Sequence, residues 1–110
     1  MDKEKNVTTY NVTQLPKNNL DELFEFAGKL RNSPDHKDRF KSEYLDLTVR
    51  AERLRRMLVR YKDGTLEFKP NNTYEMLHAQ YIFMIEYGNI LYERAEIEHI
   101  NLSADEVFKK

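Results

Sequence analysis

Cysteine and tryptophan are absent from the 110 residues, and glycine and proline occur three times each. Without cysteine there is no disulfide framework, no thiolate metal site and no thiol nucleophile. A reducing cytosol is the natural compartment for such a chain. So little glycine and proline leaves too few turns for a sandwich or barrel. No apolar run approaches the ~20 residues of a membrane span. The start, Met1-Asp2-Lys3-Glu4-Lys5, has no apolar stretch behind it, so no signal peptide is expected. Neither charge sign dominates. Lys and Arg total 18 against 19 Asp and Glu, a net charge of −1, which argues against a globally basic DNA or RNA binder.

What remains is helical periodicity. Residues 1–17 form a leader in which Asn6 to Thr13 is β-branched and roughly alternating, fitting a short strand or an extended arm closed by Pro16. Residues 18–110 are expected to form one helical domain. Asn18 or Asn19 caps a short helix with Leu20, Leu23, Phe24, Ala27 and Leu30 on one face. Ser33-Pro34-Asp35 combines a capping hydroxyl, a first-turn proline and an acid, and starts a helix over 34–62. Its ladder of Phe40, Tyr44, Leu47, Ala51, Leu54, Leu58 and Tyr61 steps by 4 and 3, a heptad seam. Asp63-Gly64 closes it. Residues 65–68 either pair as a strand or fold back over the hairpin end.

A third helix is expected over 73–99. Leu77, Met84 and Leu91 are seven apart, as are Gln80, Tyr87 and Arg94. Two long helices joined by a short loop pack antiparallel. Counting outward from the loop places Leu58 by Leu77, Leu54 by Gln80, Leu47 by Tyr87 and Phe40 by Arg94. Ser103 to Glu106 resembles a capping box for a last turn. The fold class is therefore all-α: a long antiparallel hairpin at 34–99, a short N-terminal helix and an extended arm. Ile82, Phe83, Ile85, Ile90 and Tyr92 exceed what a hairpin can cover. Either a tight monomeric bundle buries them or, as favoured here, copies of the chain do, with Gly88 allowing close approach.

Charge is uneven along the chain. Arg50, Arg53, Arg55, Arg56, Arg60 and Lys62 stand against Glu52, a local balance of +5 over 50–62. Over 93–106, Glu93, Glu96, Glu98, Asp105 and Glu106 stand against Arg94, a balance of −4. The basic run is either a solvated face paired with acids or an anion site, and the planar guanidinium fork suits phosphate. Arg50, Arg53, Arg56 and Arg60 are the phosphate candidates. Tyr10 on the arm and Tyr61 are stacking candidates. Gln80, Tyr87 and Arg94 sit at seam positions, where a polar group needs a network, a wet cavity or a ligand. Catalytic signals are lacking: His36, His78 and His99 form no HExxH pair, and no phosphate loop or nucleophile elbow is present. Glu93, Glu96 and His99 have carboxylate–imidazole spacing, but only Glu43 could face them, so no metal or other cofactor is expected.

The pattern Leu77-x-x-Gln80-x-x-x-Met84-x-x-Tyr87-x-x-x-Leu91-x-x-Arg94, preceded by a helix carrying Glu43, Leu47, Arg50, Leu54 and Leu58, resembles a known hairpin domain. It is the domain shared by phage anti-CBASS and anti-Thoeris sponge proteins and by small proteins of crAss-like phages. The resemblance covers roughly 39–98. It implies a non-enzymatic protein in the cytoplasm of the bacterial host. It also implies symmetric oligomers, often hexamers, that hold cyclic oligonucleotides or cyclic ADP-ribose isomers intact between subunits. The partner would then be a small anionic nucleotide signal, with no membrane, DNA or RNA involved. The competing reading is a structural or protein-binding helical module, such as an inhibitor docking a host protein.

Overall fold

A computed structural model describes residues 12–108. The order is a 3-10 turn at Val12–Gln14, then α1 (Lys17–Leu30), α2 (His36–Asp63), α3 (Tyr74–Glu98) and the short α4 (Asp105–Phe108). The described residues are all helix and connecting loop. Among them no helix is long and apolar enough to cross a membrane.

The helix ends follow local chemistry. Asp35, not Ser33, is the N-cap of α2, and its side chain accepts from the Lys37 N–H at 2.9 Å. Ser33 instead buttresses the turn, accepting from the Asp35 N–H and donating to Asp38. Gly64 takes the left-handed C-cap at φ 76°, where a side chain would be strained. Thr73 caps α3 by accepting from the Met76 N–H. The start of α1 differs from expectation: Pro16 is its N-cap and supplies no side-chain bond. The leader differs too. Residues 12–14 wind into a 3-10 turn, while the earlier part of the expected arm lies outside the described residues. The segment 65–68 forms no strand; it lies beside Tyr61 at the hairpin end, with Leu66 half-buried and Phe68 58% exposed.

α2 is buried on two faces. One carries Leu45 and Val49, which pack against Leu23 and Ala27 of α1 with Ala104 beside them, all essentially inaccessible. Ser42 is buried in the same layer and donates to the Ala27 carbonyl at 2.6 Å. The second face is the expected heptad, with Leu47, Ala51 and Leu58 buried toward α3. Contacts between α2 and α3 run in opposite chain order: Tyr61 meets Tyr74, Glu43 meets Tyr87 and Phe40 lies under Arg94.

The inner line of α3 is Leu77, Tyr81, Met84, Gly88, Leu91 and Ala95, again stepping by 4 and 3. Gln80, Tyr87 and Arg94 are exposed at the margin of that seam, not inside it. Gly88 faces α2, because a Cβ there would stand 3.8 Å from Leu47 Cδ2. It therefore serves the chain's own packing and does not bear on a second copy. Tyr92 also finds a home within the chain, beside Tyr44 and against the Ala95, Ile100 and Leu102 cluster.

Leu45→Ala removes buried methyls from the α1–α2 layer and is expected to cost about 2–5 kcal/mol in urea unfolding. Phe68→Ser, at an exposed position, is expected to stay within about 0.5 kcal/mol. Equal losses would contradict this core assignment.

Candidate functional site

The expected arginine cluster is divided by the fold. Arg50 and Arg53 share the ring of Phe24, at 5.3 and 4.9 Å. Arg50 also pairs with Asp46, and Arg53 reaches Asp21 of α1 at 2.7 Å. Arg56 turns the other way. It pairs with Glu52 at 2.6 Å and donates to the carbonyls of Val12 and Leu15, holding the N-terminal turn. Arg60 is exposed and has no ion pair among the described residues. Tyr61 stands edge-on to Tyr74 at the loop end, and its hydroxyl reaches the Asn72 carbonyl at 3.4 Å. Arg94 lies 4.9 Å above Phe40. Tyr10 lies outside the described residues.

Of these residues Arg50 alone lines the cleft most suited to an anion. That cleft, about 410 Å³, is bounded by Arg31, Arg39, Ser42, Glu43, Asp46, Leu47, Arg50 and Tyr87. Asp46 sits between two arginines, accepting from Arg31 at 3.1 Å through one oxygen and from Arg50 through the other. Asp46 thus bridges two of the guanidinium groups of the cleft. Arg39 has no acidic partner among the described residues, and its guanidinium donates to the Ser33 carbonyl at 2.7 Å. Tyr87 is 43% exposed and donates to Glu43 across the helix pair. The cleft thus offers three guanidinium groups, an aromatic ring and two carboxylate acceptors. Guanidinium groups, an aromatic ring and acceptors are the elements that nucleotide recognition uses.

Arg31, Arg39 and Tyr87 were not among the phosphate and stacking candidates. A signal for Arg39 was available. Arg39, Glu43, Asp46, Arg50 and Arg53 step by 4, 3, 4 and 3, a polar stripe on one face of α2 beside the apolar seam. Basic density over 50–62 hid it, because density ignores which face a residue occupies. Among the described residues no ion pair joins the basic run to the acids of α3. The arginines pair with acids of α1 and α2. Nor is there a group of three or more metal-ligating side chains among the described residues. Glu43 is engaged by Tyr87, and His99 adopts the left-handed C-cap of α3 at φ 60°.

Among the described residues Glu52 is the buried charged side chain, 3% exposed. Burial pushes its carboxyl up, but hydrogen bonds from Arg55 and Arg56 outweigh burial and hold it below the usual carboxylate range. A cavity of about 200 Å³ adjoins it, lined by Val12 and Thr13 of the turn and by Ala51, Tyr81, Met84 and Gly88 among others. Through Arg56, Glu52 keeps the turn over that cavity.

A family model described as Sequestin matches residues 34–97, from the start of α2 nearly to the end of α3 and more than half of the chain. No curated protein and no solved structure matches the chain.

Glu52→Gln is expected to cost about 1–3 kcal/mol. The native carboxyl is depressed, so its contribution is full above the unfolded value of about 4.3 and fades as pH falls through the native value. Urea unfolding of both forms at several pH values checks this: the gap between them closes in acid. A gap that widens there would show the sign to be wrong.

Proposed function

The chain belongs to the Sequestin family, and on that footing we propose that it is a non-enzymatic phage sponge for nucleotide second messengers. It sequesters cyclic oligonucleotides or cyclic ADP-ribose isomers made by bacterial defence systems, lowering their free concentration without cleaving them. The family name itself denotes sequestration, which supports a binding protein. The observation that carries the finer reading is the cleft around Asp46. A phosphodiester is an anion with forked acceptors, which bidentate guanidinium groups match. Arg31, Arg39 and Arg50 take the phosphate in this reading, Tyr87 takes a base or ribose face, and Glu43 accepts from a hydroxyl or exocyclic amine. Arg53, at the end of the same stripe, is held by Asp21 and Phe24 outside the cleft and is not one of its phosphate contacts in this reading. Arg60, Tyr61 and Arg94 are too scattered to join the cleft of one chain, and Arg56 serves the fold.

We also propose that copies of the chain assemble on α3. Met76, Phe83, Ile90 and Ile97 are 62%, 74%, 56% and 75% exposed and spaced by seven, so a heptad row of large apolar side chains runs the length of the helix. Tyr87 stands at the edge of this row. A second copy seated on it would wall the cleft on the α3 side and shield a bound messenger. The same row favours one other reading, a partner-docking helix that recognises a host protein and ignores nucleotides.

Thermal unfolding is expected to shift upward with at least one member of a panel of cyclic dinucleotides, cyclic trinucleotides and cyclic ADP-ribose isomers. The ligand should be recovered unaltered after denaturation. Arg39→Ala should weaken binding about tenfold or more. Asp46→Asn frees two arginines from ion pairs worth about 0.2–1 kcal/mol each, so it should tighten binding severalfold. Weaker binding by Asp46→Asn would remove the cleft from consideration. Indifference to the whole panel, with capture of a host protein, would favour the docking helix. Phe83→Asp should dissociate the assembly in size-exclusion chromatography.

A further inference from the structure

A second cleft lies at the loop end of the hairpin, where the last turns of α2 meet the first turns of α3. It has a volume of about 310 Å³ and is lined by Arg55, Leu58, Val59, Lys62, Asp63, Tyr74, His78 and Tyr81. Three features converge there. The first is an aromatic series: Tyr61 is edge-on to Tyr74 at 5.7 Å, and Tyr74 is stacked on His78 at 5.8 Å with 15° between the rings. The series ends at His78, which is exposed. The second is a fixed cation. Glu52 holds Arg55 through Nε and Nη2 at 2.9 and 2.8 Å, and Nη1 has no hydrogen bond among the described residues. The third is Lys62, whose ammonium lies 5.1 Å over the Tyr74 ring.

We propose that this cleft is a separate binding site for a nucleoside monophosphate. The base extends the Tyr74–His78 stack on the open face of His78. The phosphate lies between Arg55 Nη1 and Lys62, and Asp63 is the acceptor for a ribose hydroxyl. The volume is at the lower end of small-molecule sites, about 300–1,000 Å³, so it suits one nucleotide unit and not a cyclic trinucleotide. The residues are distinct from those around Asp46, and the inference does not depend on the messenger reading.

AMP, adenosine and inorganic phosphate, each titrated into the full chain while the His78 ring protons are followed by NMR, test it. AMP is expected to move these resonances saturably and to bind at least about fivefold more tightly than phosphate, because stacking adds about 1–3 kcal/mol. Lys62→Ala and His78→Ala, both at exposed positions, should each weaken AMP about tenfold, while Arg50→Ala leaves it unchanged. Absence of a saturable shift, phosphate binding as tightly as AMP, or loss of the AMP response in Arg50→Ala would each overturn the proposal. A chain that binds AMP here yet ignores every cyclic messenger would refute the sponge and leave this site standing.

Discussion

Leu45 and Val49 of α2 close against Leu23 and Ala27 of α1 with almost no exposed surface, and this contact places everything around it. Ala104 joins the layer and brings the C-terminal tail across the helices. Ser42, in the same layer, satisfies the Ala27 carbonyl, so the close approach of the two helices leaves no polar orphan there. With α1 seated, Asp21 comes within reach of Arg53, and Phe24 supplies the ring on which Arg50 and Arg53 rest. Arg31, at the end of α1, is carried to Asp46. The arginine-lined cleft thus follows from the apolar burial beside it, with Ser42 belonging to both.

α2 also explains why the chain has an unused apolar face. One helix with two buried faces accepts only one neighbour on each. α1 takes the first and α3 the second. α3 meets α2 through its inner line and through Tyr74, Tyr87 and Arg94 at its margin, and its outer row of Met76, Phe83, Ile90 and Ile97 stays largely exposed among the described residues. At least four large side chains remain in water, each worth about 1.5–3 kcal/mol if buried. That is a strong drive toward association, whether with copies of this chain or with another protein.

Much of this was visible in residue order, and the rest was not for definable reasons. Gly64 and Thr73 marked the inner ends of the two long helices because backbone geometry and capping chemistry are local. The seam through Leu47, Ala51 and Leu58 followed from a heptad, and Phe40 with Arg94 followed from counting outward from the loop. The α1–α2 core was hidden because Leu45 and Val49 look like an interruption of that heptad, not a second face. Ser33 lost the cap to Asp35, since both can accept a backbone N–H and only tertiary context chooses. Arg39 and Tyr87 are distant in sequence and meet only across the helix pair. Conversely Arg56, the most central residue of the basic run, proved to be committed to Glu52 and to the turn at Val12–Gln14.

The central claim is that this chain assembles and holds a nucleotide intact. Native mass spectrometry of the protein purified from bacteria that make cyclic nucleotide signals tests both halves at once. The account predicts an assembly of several chains carrying nucleotide in fixed ratio, released chemically unaltered on denaturation. A bare single chain from the same cells would contradict it.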